Sequence, residues 1–313
     1  MNVVVTGASG FIGRNLLAAV PPNWKTVAVY NQSPDFLSFV SRLGNPSIRP
    51  AKCDLTSIEG VQQLAKAAGA EFDLCVYLAA NGDPGLSPID PAADLRKNVL
   101  ALINFLTLVK AKRFLYLSSG AVYDRKIGEV SPSTPVEPLL PYAISKLAAE
   151  RYVQHFSERG TIGRYVIVRF FGAYGPHEPS RKIYSRLVET FAVRKERTFR
   201  VRGDGNNLID AMFVSDAVEA LLKMASADEG NTTVDLCSGN AMSINQLVTA
   251  AGEALGVSNA SIEYEGVVPE YIKFWASPEE VGRLFHLSPR VSLPEGMRRL
   301  ARYLGQEGSR GRA

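Results

Sequence analysis

Cysteine and histidine, two residues that often bind zinc, are scarce in this sequence, with three of each among 313 residues. They are Cys53, Cys75, Cys237, His155, His177 and His286. The cysteines lack the spacing of a zinc site and the histidines are scattered, so we expect no metal centre. The cysteines are odd in number and each lies in an apolar run, which indicates reduced, buried thiols in a cytoplasmic protein.

Long hydrophobic runs and a large excess of one charge are also lacking. The apolar start MNVVVTG has no basic leader and ends at Gly7, so we expect neither a signal peptide nor a membrane span. Lysine and arginine total 35 against 31 acidic residues, a balance that argues neither for nor against nucleic acid. The composition, with 46% hydrophobic and 21% charged residues, is typical of a soluble globular protein. The length suits one large α/β unit or two smaller domains.

The sequence does have a β-branched run followed by a glycine-rich turn at its start. The valines at 3–5 predict a buried strand, and Gly7, Gly10 and Gly13 follow at three-residue spacing before a helical pattern. Such glycines permit a tight turn, close approach of a pyrophosphate and close packing of the helix on the strand. Because the helix would point its free N–H groups at the phosphates, this arrangement predicts a dinucleotide site.

The end of the second predicted strand, residues 26–29, bears on which dinucleotide binds. NAD sites usually place an acid there to hold the adenosine ribose, but Tyr30 and Asn31 occupy the position. Without a carboxylate a 2′-phosphate is not repelled, and Asn31 and Arg14 are placed to lie near it. The residues therefore favour NADP slightly over NAD.

The ends of the next three predicted strands carry polar or small residues. Asp54 is placed to accept a hydrogen bond from the adenine amine, although capping of the following helix by this segment is equally consistent. Ala79 and Ala80 are small enough to let the backbone lie against a cofactor. Ser118 and Ser119 end the run RFLYLSS, and one of them should face the same cleft. The alternation of strands and helices up to about residue 168 predicts a doubly wound parallel α/β sheet.

Tyr142 and Lys146 lie four residues apart in PYAISKLAAE, which reads as the start of a helix entered at Pro141. One helical turn separates them, so the phenol and the ammonium share a face. On its own this spacing is common. With the glycine turn and the serines it predicts a chemical site.

These motifs resemble the extended short-chain dehydrogenase/reductase family. The matching segments are TGASGFIG (6–13), SSGAVY (118–123) and YAISK (142–146), and later blocks such as RFFGAYGP (169–176) are similar to its NAD(P)-dependent sugar-nucleotide epimerases, dehydratases and reductases. Together with the alternation of strands and helices, this predicts a Rossmann domain in 1–168 with a return near 209–225 and a smaller substrate-binding lobe in 169–313. The polar composition of 305–313 predicts a disordered tail.

The resemblance also implies roles for individual residues. Ser119, four before Tyr123, is the expected catalytic hydroxyl and binds the substrate oxygen, and Ser118 is structural. Tyr142 transfers the proton, because the Lys146 ammonium and a positive nicotinamide ring should lower a phenol pKa that is ordinarily near 10. Lys146 also holds the nicotinamide ribose. The expected cofactor contacts are Gly7, Gly10, Phe11, Ile12, Gly13, Asn31, Asp54, Leu55, Leu78, Ala79, Ala80, Asn98, Tyr142 and Lys146.

The two residues after Ser119 narrow the reaction. The resemblance implies an Asp–Glu pair there in dehydratases and a glutamate in decarboxylases, but this chain has Gly120 and Ala121, which cannot move a proton. Reduction or epimerisation at C4 of a nucleotide-diphosphate sugar remains. The missing acid after the second strand slightly favours a 4-ketoreductase. The alternatives are an NAD-dependent 4-epimerase and a reductase of a non-sugar ketone.

The substrate half departs from the pattern that the resemblance implies. Gly172 stands where an asparagine touches the nucleotide sugar, and Ile209 stands where an arginine binds the diphosphate. Other cations must then hold the phosphates, and Arg202 and Arg283 are the expected ones. The basic run around 181–202 belongs to this lobe, so we expect no nucleic acid partner. Apolar residues on several faces of the helices near 95–109 and 142–156 predict a homodimer.

Overall fold

The structure, a computed structural model, describes residues 1–268, 272–287 and 289–310, except for the side chains of 307–310. The strands are β1 (Asn2–Thr6), β2 (Lys25–Tyr30), β3 (Ile48–Lys52), β4 (Glu71–Tyr77), β5 (Lys110–Leu117), β6 (Ile127–Val130), β7 (Ile162–Phe170), β8 (Ala173–Tyr174), β9 (Thr198–Arg202), β10 (Leu208–Ile209), β11 (Met212–Phe213), β12 (Thr232–Leu236), β13 (Met242–Ser243), β14 (Ser261–Glu265) and β15 (Lys273–Ala276).

The helices are α1 (Phe11–Ala19), α2 (Phe36–Leu43), α3 (Ile58–Ala68), α4 (Pro91–Leu95), α5 (Ala101–Leu108), α6 (Pro141–Glu158), α7 (Ile183–Val188), α8 (Val214–Ser226), α9 (Ile244–Ala254), α10 (Glu279–Phe285) and α11 (Leu293–Arg310). Two π-helical turns, Arg96–Leu100 and Glu189–Val193, continue α4 and α7, and short 3₁₀ turns occupy Pro84–Leu86 and Gly120–Tyr123.

A seven-stranded sheet in the order β12-β7-β5-β4-β1-β2-β3 confirms the predicted doubly wound α/β fold. Its pairings from β7 through to β3 are parallel. The valines of β1 are fully buried, as expected of a central strand covered on both faces. The chain goes to one side after β1 and to the other after β4, so the crevice between these strands at their carboxyl ends is the point where such sheets bind ligands.

The chain divides into two compact units. The first consists of Met1–Asp124, Pro132–Phe170 and Val218–Asp235, and the second takes Arg125–Ser131, Phe171–Ala217 and the chain from Leu236 onwards. The sequence placed the first boundary at 168 and the return near 209–225, whereas the return begins at Val218. The short segment Arg125–Ser131 joins the second unit because β6 pairs in parallel with β15.

The second unit is built from helices and short strand pairs around its own apolar core. The rings of Tyr174 and Tyr184 stack with centroids 4.2 Å apart, and Phe191, Leu247 and Leu300 are buried with them. Helix α11 includes residues 305–310, which the sequence assigned to a disordered tail, and 311–313 lie outside the described residues.

Three observations bear on the expectations from composition. All three cysteines are free and buried. Among the described residues no helix is both long and apolar enough to cross a membrane. The same residues contain no cluster of histidine, cysteine and carboxylate side chains suited to a metal ion.

Candidate active site

The turn between β1 and α1 is shaped by glycines that no other residue could replace without displacing backbone. Gly7 has a φ of +64°, and a Cβ there would lie 2.7 Å from the backbone nitrogen of Ala79. A Cβ on Gly13 would overlap the carbonyl oxygen of Gly7 and the backbone of Ala8. Gly10 precedes α1, whose first turn, which includes Phe11 and Ile12, has no capping side chain and no acid. The turn is thus a bare cradle with free N–H groups, which fits a dinucleotide pyrophosphate.

The end of β4 is held against this turn. Thr6 Oγ1 accepts hydrogen bonds from the backbone N–H groups of Leu78 and Ala79, each at 3.2 Å. Leu78 and Ala79 are partly buried and Ala80 is exposed. Leu78, Ala79 and Ala80, the three expected cofactor contacts that directly follow β4, therefore lie beside the glycine turn, at the switch point of the sheet.

An acid that the sequence analysis missed lies after β2. The guanidinium of Arg14 donates to Asp35 Oδ1 at 2.8 Å and to Ser33 Oγ at 3.0 Å, and stacks 4.9 Å from the centroid of the Phe39 ring. The Asp35 side chain remains 61% exposed, and the hydrogen bond from Arg14 holds the pKa of its carboxyl below the usual value. Asp35 lies five residues beyond Tyr30, too far along the loop for the strand-end pattern to reveal it.

The segment after β3 shows which residue caps the following helix and which residue stays exposed. Ser57 is the cap of α3, since its hydroxyl accepts from Gly60 N at 3.1 Å. Asp54 accepts from the hydroxyl of Thr56 at 2.7 Å and stays exposed. Leu55 is buried and Asn31 is exposed. Asp54 is thus available for the adenine contact that we expected.

The three expected catalytic residues are brought together in the first unit. Ser119 follows β5, and its Oγ accepts from Ala121 N at 3.1 Å at the start of a 3₁₀ turn. A side-chain hydrogen bond joins Ser119 to Tyr142 in the first turn of α6. Lys146, one turn further, is buried, and its Nζ donates to the carbonyl of Leu117 at 2.6 Å.

Burial dominates the ionisation of the pair. It raises the pKa of Tyr142 to about 12, against the opposing effect of the Ser119 hydrogen bond. Burial also lowers the pKa of Lys146 to about 7, although nearby carboxylates oppose it. The expected lowering of the tyrosine pKa is therefore outweighed by burial.

A buried charge network begins at Ser118, the residue before Ser119. Ser118 donates to Glu150 Oε1 at 2.5 Å, in agreement with a structural role. Arg169 binds the same carboxylate, with Nη2 2.9 Å from Oε2, and both side chains are more than nine-tenths buried. Arg169 Nη1 donates to the hydroxyl of Tyr123, which donates to Asp235 at 2.8 Å. The network ties β5, α6, β7 and β12 together around the site.

Asn98 belongs to a second buried network rather than to an open cofactor surface. Its Oδ1 accepts from Asn81 N at 2.7 Å, and its Nδ2 donates to Ser145 Oγ at 2.8 Å and to Asp94 Oδ1 at 3.1 Å. The residue is 1% exposed. The amide of Asn98 is thus used inside the protein, and its expected contact with the cofactor stays a prediction.

The expected substrate residues lie in the second unit. Arg202 ends β9 and Arg283 lies on α10, and both are exposed. Neither side chain forms a hydrogen bond or an ion pair with another described residue. At Gly172 a Cβ would lie 3.0 Å from the carbonyl oxygen of Asp210. The position of the missing asparagine is thus crowded by backbone.

Comparisons with known proteins agree with this geometry. The model of the NAD dependent epimerase/dehydratase family matches residues 3–237. The chain is 27% identical to a Bacillus subtilis protein described as the uncharacterized UDP-glucose epimerase YtcB, over 97% of this chain and 98% of that protein.

Two solved structures are similar along almost the whole chain. The UDP-N-acetylglucosamine 4-epimerase of Methanobrevibacter ruminantium M1, in complex with UDP-N-acetylmuramic acid, superposes with a TM-score of 0.86 at 23% identity over 98% of each chain. MoeE5 in complex with UDP-glucose and NAD superposes with a TM-score of 0.84 at 29% identity, over 98% of this chain and 99% of that one.

Proposed function

The chain belongs to the NAD-dependent epimerase/dehydratase family, and from this premise we propose that it is an NAD-dependent nucleotide-sugar 4-epimerase. The observation that carries the proposal is the grouping of Ser119, Tyr142 and Lys146. The two residues after Ser119, Gly120 and Ala121, cannot transfer a proton. Similarity to YtcB, described as a UDP-glucose epimerase, supports epimerisation better than the reductase that the sequence favoured, and the complex of MoeE5 with UDP-glucose and NAD supports this substrate class and NAD.

The roles of the chain's own residues follow from the geometry. NAD, when bound, would supply the hydride chemistry: acceptance of the hydride from C4 of the sugar and its return to the opposite face of the same carbon. Tyr142 takes the proton of the C4 hydroxyl and gives it back to the ketone oxygen, and Ser119 donates to that oxygen as its charge changes. Lys146, when protonated, favours the phenolate, so the positive charge of an oxidised nicotinamide and that of Lys146 act in the same direction on Tyr142.

Gly120 and Ala121 separate this proposal from the other reactions of the family. Both are in the 3₁₀ turn that begins after Ser119, and Gly120 is buried. Elimination of water needs an acid and a base beside the sugar, and neither residue can serve as one. Dehydration and decarboxylation are therefore not proposed.

The choice of NAD rests on Asp35. The sequence favoured NADP because no acid follows β2 directly and because Arg14 was expected to lie near the 2′-phosphate. Arg14 is instead paired with Asp35, whose exposed carboxylate would repel a 2′-phosphate. A reductase that uses NADPH remains the second candidate, favoured by the absence of an acid at Tyr30 and Asn31.

Titration of NADH and NADPH by fluorescence decides between the cofactors. We expect the parent protein to bind NADH more tightly and Asp35→Asn to lose part of that preference. Asp73→Asn is the matched control, since Asp73 forms a comparable ion pair with Lys112 at 2.8 Å away from the β2 loop. A preference for NADPH in the parent would contradict the proposal and restore the reductase.

The activity is tested with the purified protein and UDP-glucose, without added cofactor. We expect dinucleotide to co-purify and UDP-galactose to form, as measured by mass spectrometry and chromatography. Net oxidation of added NADPH with a 4-keto nucleotide sugar, and no interconversion of the C4 epimers, would favour the reductase.

The diphosphate of such a substrate needs cations, and we propose Arg202 and Arg283. Neighbouring Arg200 is already paired with Glu263, at 2.9 Å, whereas these two have no ion pair among the described residues. A charge-assisted contact contributes roughly 1.5–3 kcal/mol, so each substitution to alanine should weaken binding of a nucleoside diphosphate by about one to two orders of magnitude. Calorimetric titration measures this. No binding to the parent would favour a non-sugar ketone as substrate.

We also propose a homodimer formed by the face that α4, α5 and α6 share. Exposed apolar residues lie on this face, with Leu95 51%, Leu100 41% and Ile144 46% exposed. Helices α4 and α6 are in contact, so these exposed residues lie on neighbouring elements. A second copy of the chain would cover this face.

A further inference from the structure

A carboxylate that the reaction described above does not use is buried beneath the catalytic helix. Asp94, in α4, is 2% exposed. Its Oδ1 accepts from Asn81 Nδ2 at 2.7 Å and from Asn98 Nδ2 at 3.1 Å, and its Oδ2 accepts from Ser145 Oγ at 2.5 Å. No cation among the described residues lies within ion-pair distance of it. A buried charge with neutral partners only is costly unless another charge compensates it.

Ser145 links this carboxylate to the catalytic turn. It stands between Tyr142 and Lys146 in the sequence of α6, and its hydroxyl is also 2.9 Å from the carbonyl of Tyr142. Because the carboxylate is the stronger acceptor, the hydroxyl proton goes to Asp94. The π-helical turn Arg96–Leu100 brings Asn98 to the same hydroxyl, so α4 and α6 are joined at this point.

The cation that stands next to this link is Lys146, which directly follows Ser145 in α6. The Lys146 ammonium is 1% exposed, with the Leu117 carbonyl as acceptor and the Tyr116 ring centroid 4.4 Å away. Two carboxylates, Glu150 and Asp94, favour its charged form. Glu150 is already neutralised by Arg169, whereas Asp94 has no cation of its own.

We propose that Asp94 is a positioning residue for the proposed reaction: it fixes the turn of α6 through Ser145, and its negative charge favours the ammonium form of Lys146 against the effect of burial. The proposal rests on the proposed function, in which Tyr142 and Lys146 act together. Asp94 also disfavours the Tyr142 phenolate, so its single charge raises the pKa of both groups. The other titratable groups around Lys146 and in the neighbouring charge network of Glu150 and Arg169 are Tyr116, Tyr123, Tyr142, Glu150, Arg169 and Asp235.

Asp94→Asn is the direct test, since it removes the charge and keeps the shape. Its amide oxygen can accept from Asn81 and Asn98, and its NH2 can donate to Ser145, whose proton then goes to the Tyr142 carbonyl. Loss of the charge should lower both pKa values, so both limbs of the pH profile of kcat should move to lower pH by about one unit. The KM for the nucleotide sugar should stay unchanged.

Two further variants separate charge from support. Ser145→Ala keeps the charge and breaks the link, so we expect a lower kcat with both limbs in place. Asp90→Asn is the matched control: Asp90 is an exposed acid that caps the same helix, and asparagine caps equally well. A loss of activity in Asp94→Asn with unmoved limbs would mean that the residue only supports the fold, and the proposal would be wrong.

A second readout does not require turnover. The pH dependence of urea unfolding is measured for the parent, Asp94→Asn, Lys146→Met and the double variant. In the parent, the free energy of unfolding should rise with pH above the folded-state pKa of Lys146. We expect Asp94→Asn to move this rise to lower pH, and to have no such effect in the Lys146→Met background. If the parent shows no activity on nucleotide sugars, the proposed function fails while this cycle still decides whether Asp94 and Lys146 are coupled. An identical effect in both backgrounds would overturn the coupling.

Discussion

Tyr142 illustrates how one residue depends on its neighbours for its chemistry. Burial holds its proton, and the hydrogen bond from Ser119 only partly offsets this. A phenol with a pKa of about 12 is a poor base near neutral pH, so positive charge is needed close to it. The residue is therefore poised to react when Lys146 is protonated and an oxidised cofactor is bound.

Tyr142→Phe tests this role at the residue scale. We expect turnover to fall by about 10²–10⁴-fold, the usual contribution of a general acid–base group, while NAD binding is retained. Tyr152→Phe is a matched control, because Tyr152 is an exposed tyrosine on the same helix. Initial rates of C4 interconversion and calorimetric NAD titration measure both effects. Substantial activity in Tyr142→Phe would refute the assignment.

Lys146 gives a pH dependence of stability whose sign follows from its environment. Its pKa is about 7 in the folded chain and 10.5 ordinarily, so between these values the unfolded state binds more protons. The free energy of unfolding should therefore rise with pH from about 7 and be lowest below that pH, where the buried lysine must carry its charge. Lys146→Met should abolish the rise, and Lys66→Met, at an exposed site on α3, should not. Urea denaturation over a pH series measures it, and a rise that survives in Lys146→Met would point to another group.

At this scale the sequence is informative where residues lie in short local patterns. Ser119 follows a strand end, and Tyr142 and Lys146 lie one helical turn apart on α6; their catalytic roles stay a prediction. Asp94 and Asp35 were missed, since their roles come from contacts with Ser145 and Arg14, fifty-one and twenty-one residues away in the chain. Asn98 was assigned to the cofactor, although its amide is used by neighbours that only the fold brings near.

At the scale of elements, the three glycines of the β1–α1 turn differ in their surroundings. Gly7 and Gly13 lie against backbone atoms, whereas Gly10 has more open space around it. A Cβ on Gly13 would collide with backbone atoms, whereas a Cβ on Gly10 would meet only the Gly7 carbonyl oxygen, at 3.2 Å. Gly13 is thus needed for the packing of α1 on β1. Gly10 leaves room in front of the free N–H groups.

This difference predicts distinct outcomes for two alanine substitutions. Gly13→Ala should lower the melting temperature and abolish NAD binding, because α1 must move away from the sheet. Gly10→Ala should leave the melting temperature nearly unchanged and weaken NAD binding, because its methyl group fills the cradle. Thermal unfolding and calorimetry separate the two. Equal loss of stability in both variants would contradict this account.

The succession of elements in the sheet followed from the sequence, but some local geometry did not. Buried runs such as the valines of β1 and glycine turns mark parallel strands. The π-helical turn at Arg96–Leu100, which contacts α6, leaves no such mark in the sequence. The pairing of β6 with β15 joins residues almost 150 positions apart, and no local pattern predicts it.

At the scale of the whole molecule, oligomeric state is the main property still to be tested. We expect the parent chain to be a dimer in size-exclusion chromatography with light scattering. Leu100→Glu and Ile144→Glu should each shift it to monomer, because a charge would be buried in the proposed interface. Leu37→Glu places the same charge at an exposed apolar residue on α2 and should leave the dimer intact. A monomeric parent would rule out the interface.

The sequence predicted two parts because the motifs before and after about residue 168 differ, and the structure divides the chain into two compact units with other bounds. The short excursion at Arg125–Ser131 was not foreseen, since it has no composition of its own and belongs to the second unit through strand pairing alone. The family resemblance read from three motifs is confirmed by the match over residues 3–237.

The position of β12 in the sheet has a consequence for the newly made chain on the ribosome. Strand β12 covers the edge of β7, yet more than 60 residues separate Phe170 from Thr232. At ordinary rates of synthesis this interval lasts roughly 3–12 s, during which β7 has an open edge able to pair with another nascent chain. Tyr123 and Arg169 also wait for Asp235 during this time. The nascent protein is thus most exposed to aggregation while its second unit is being translated.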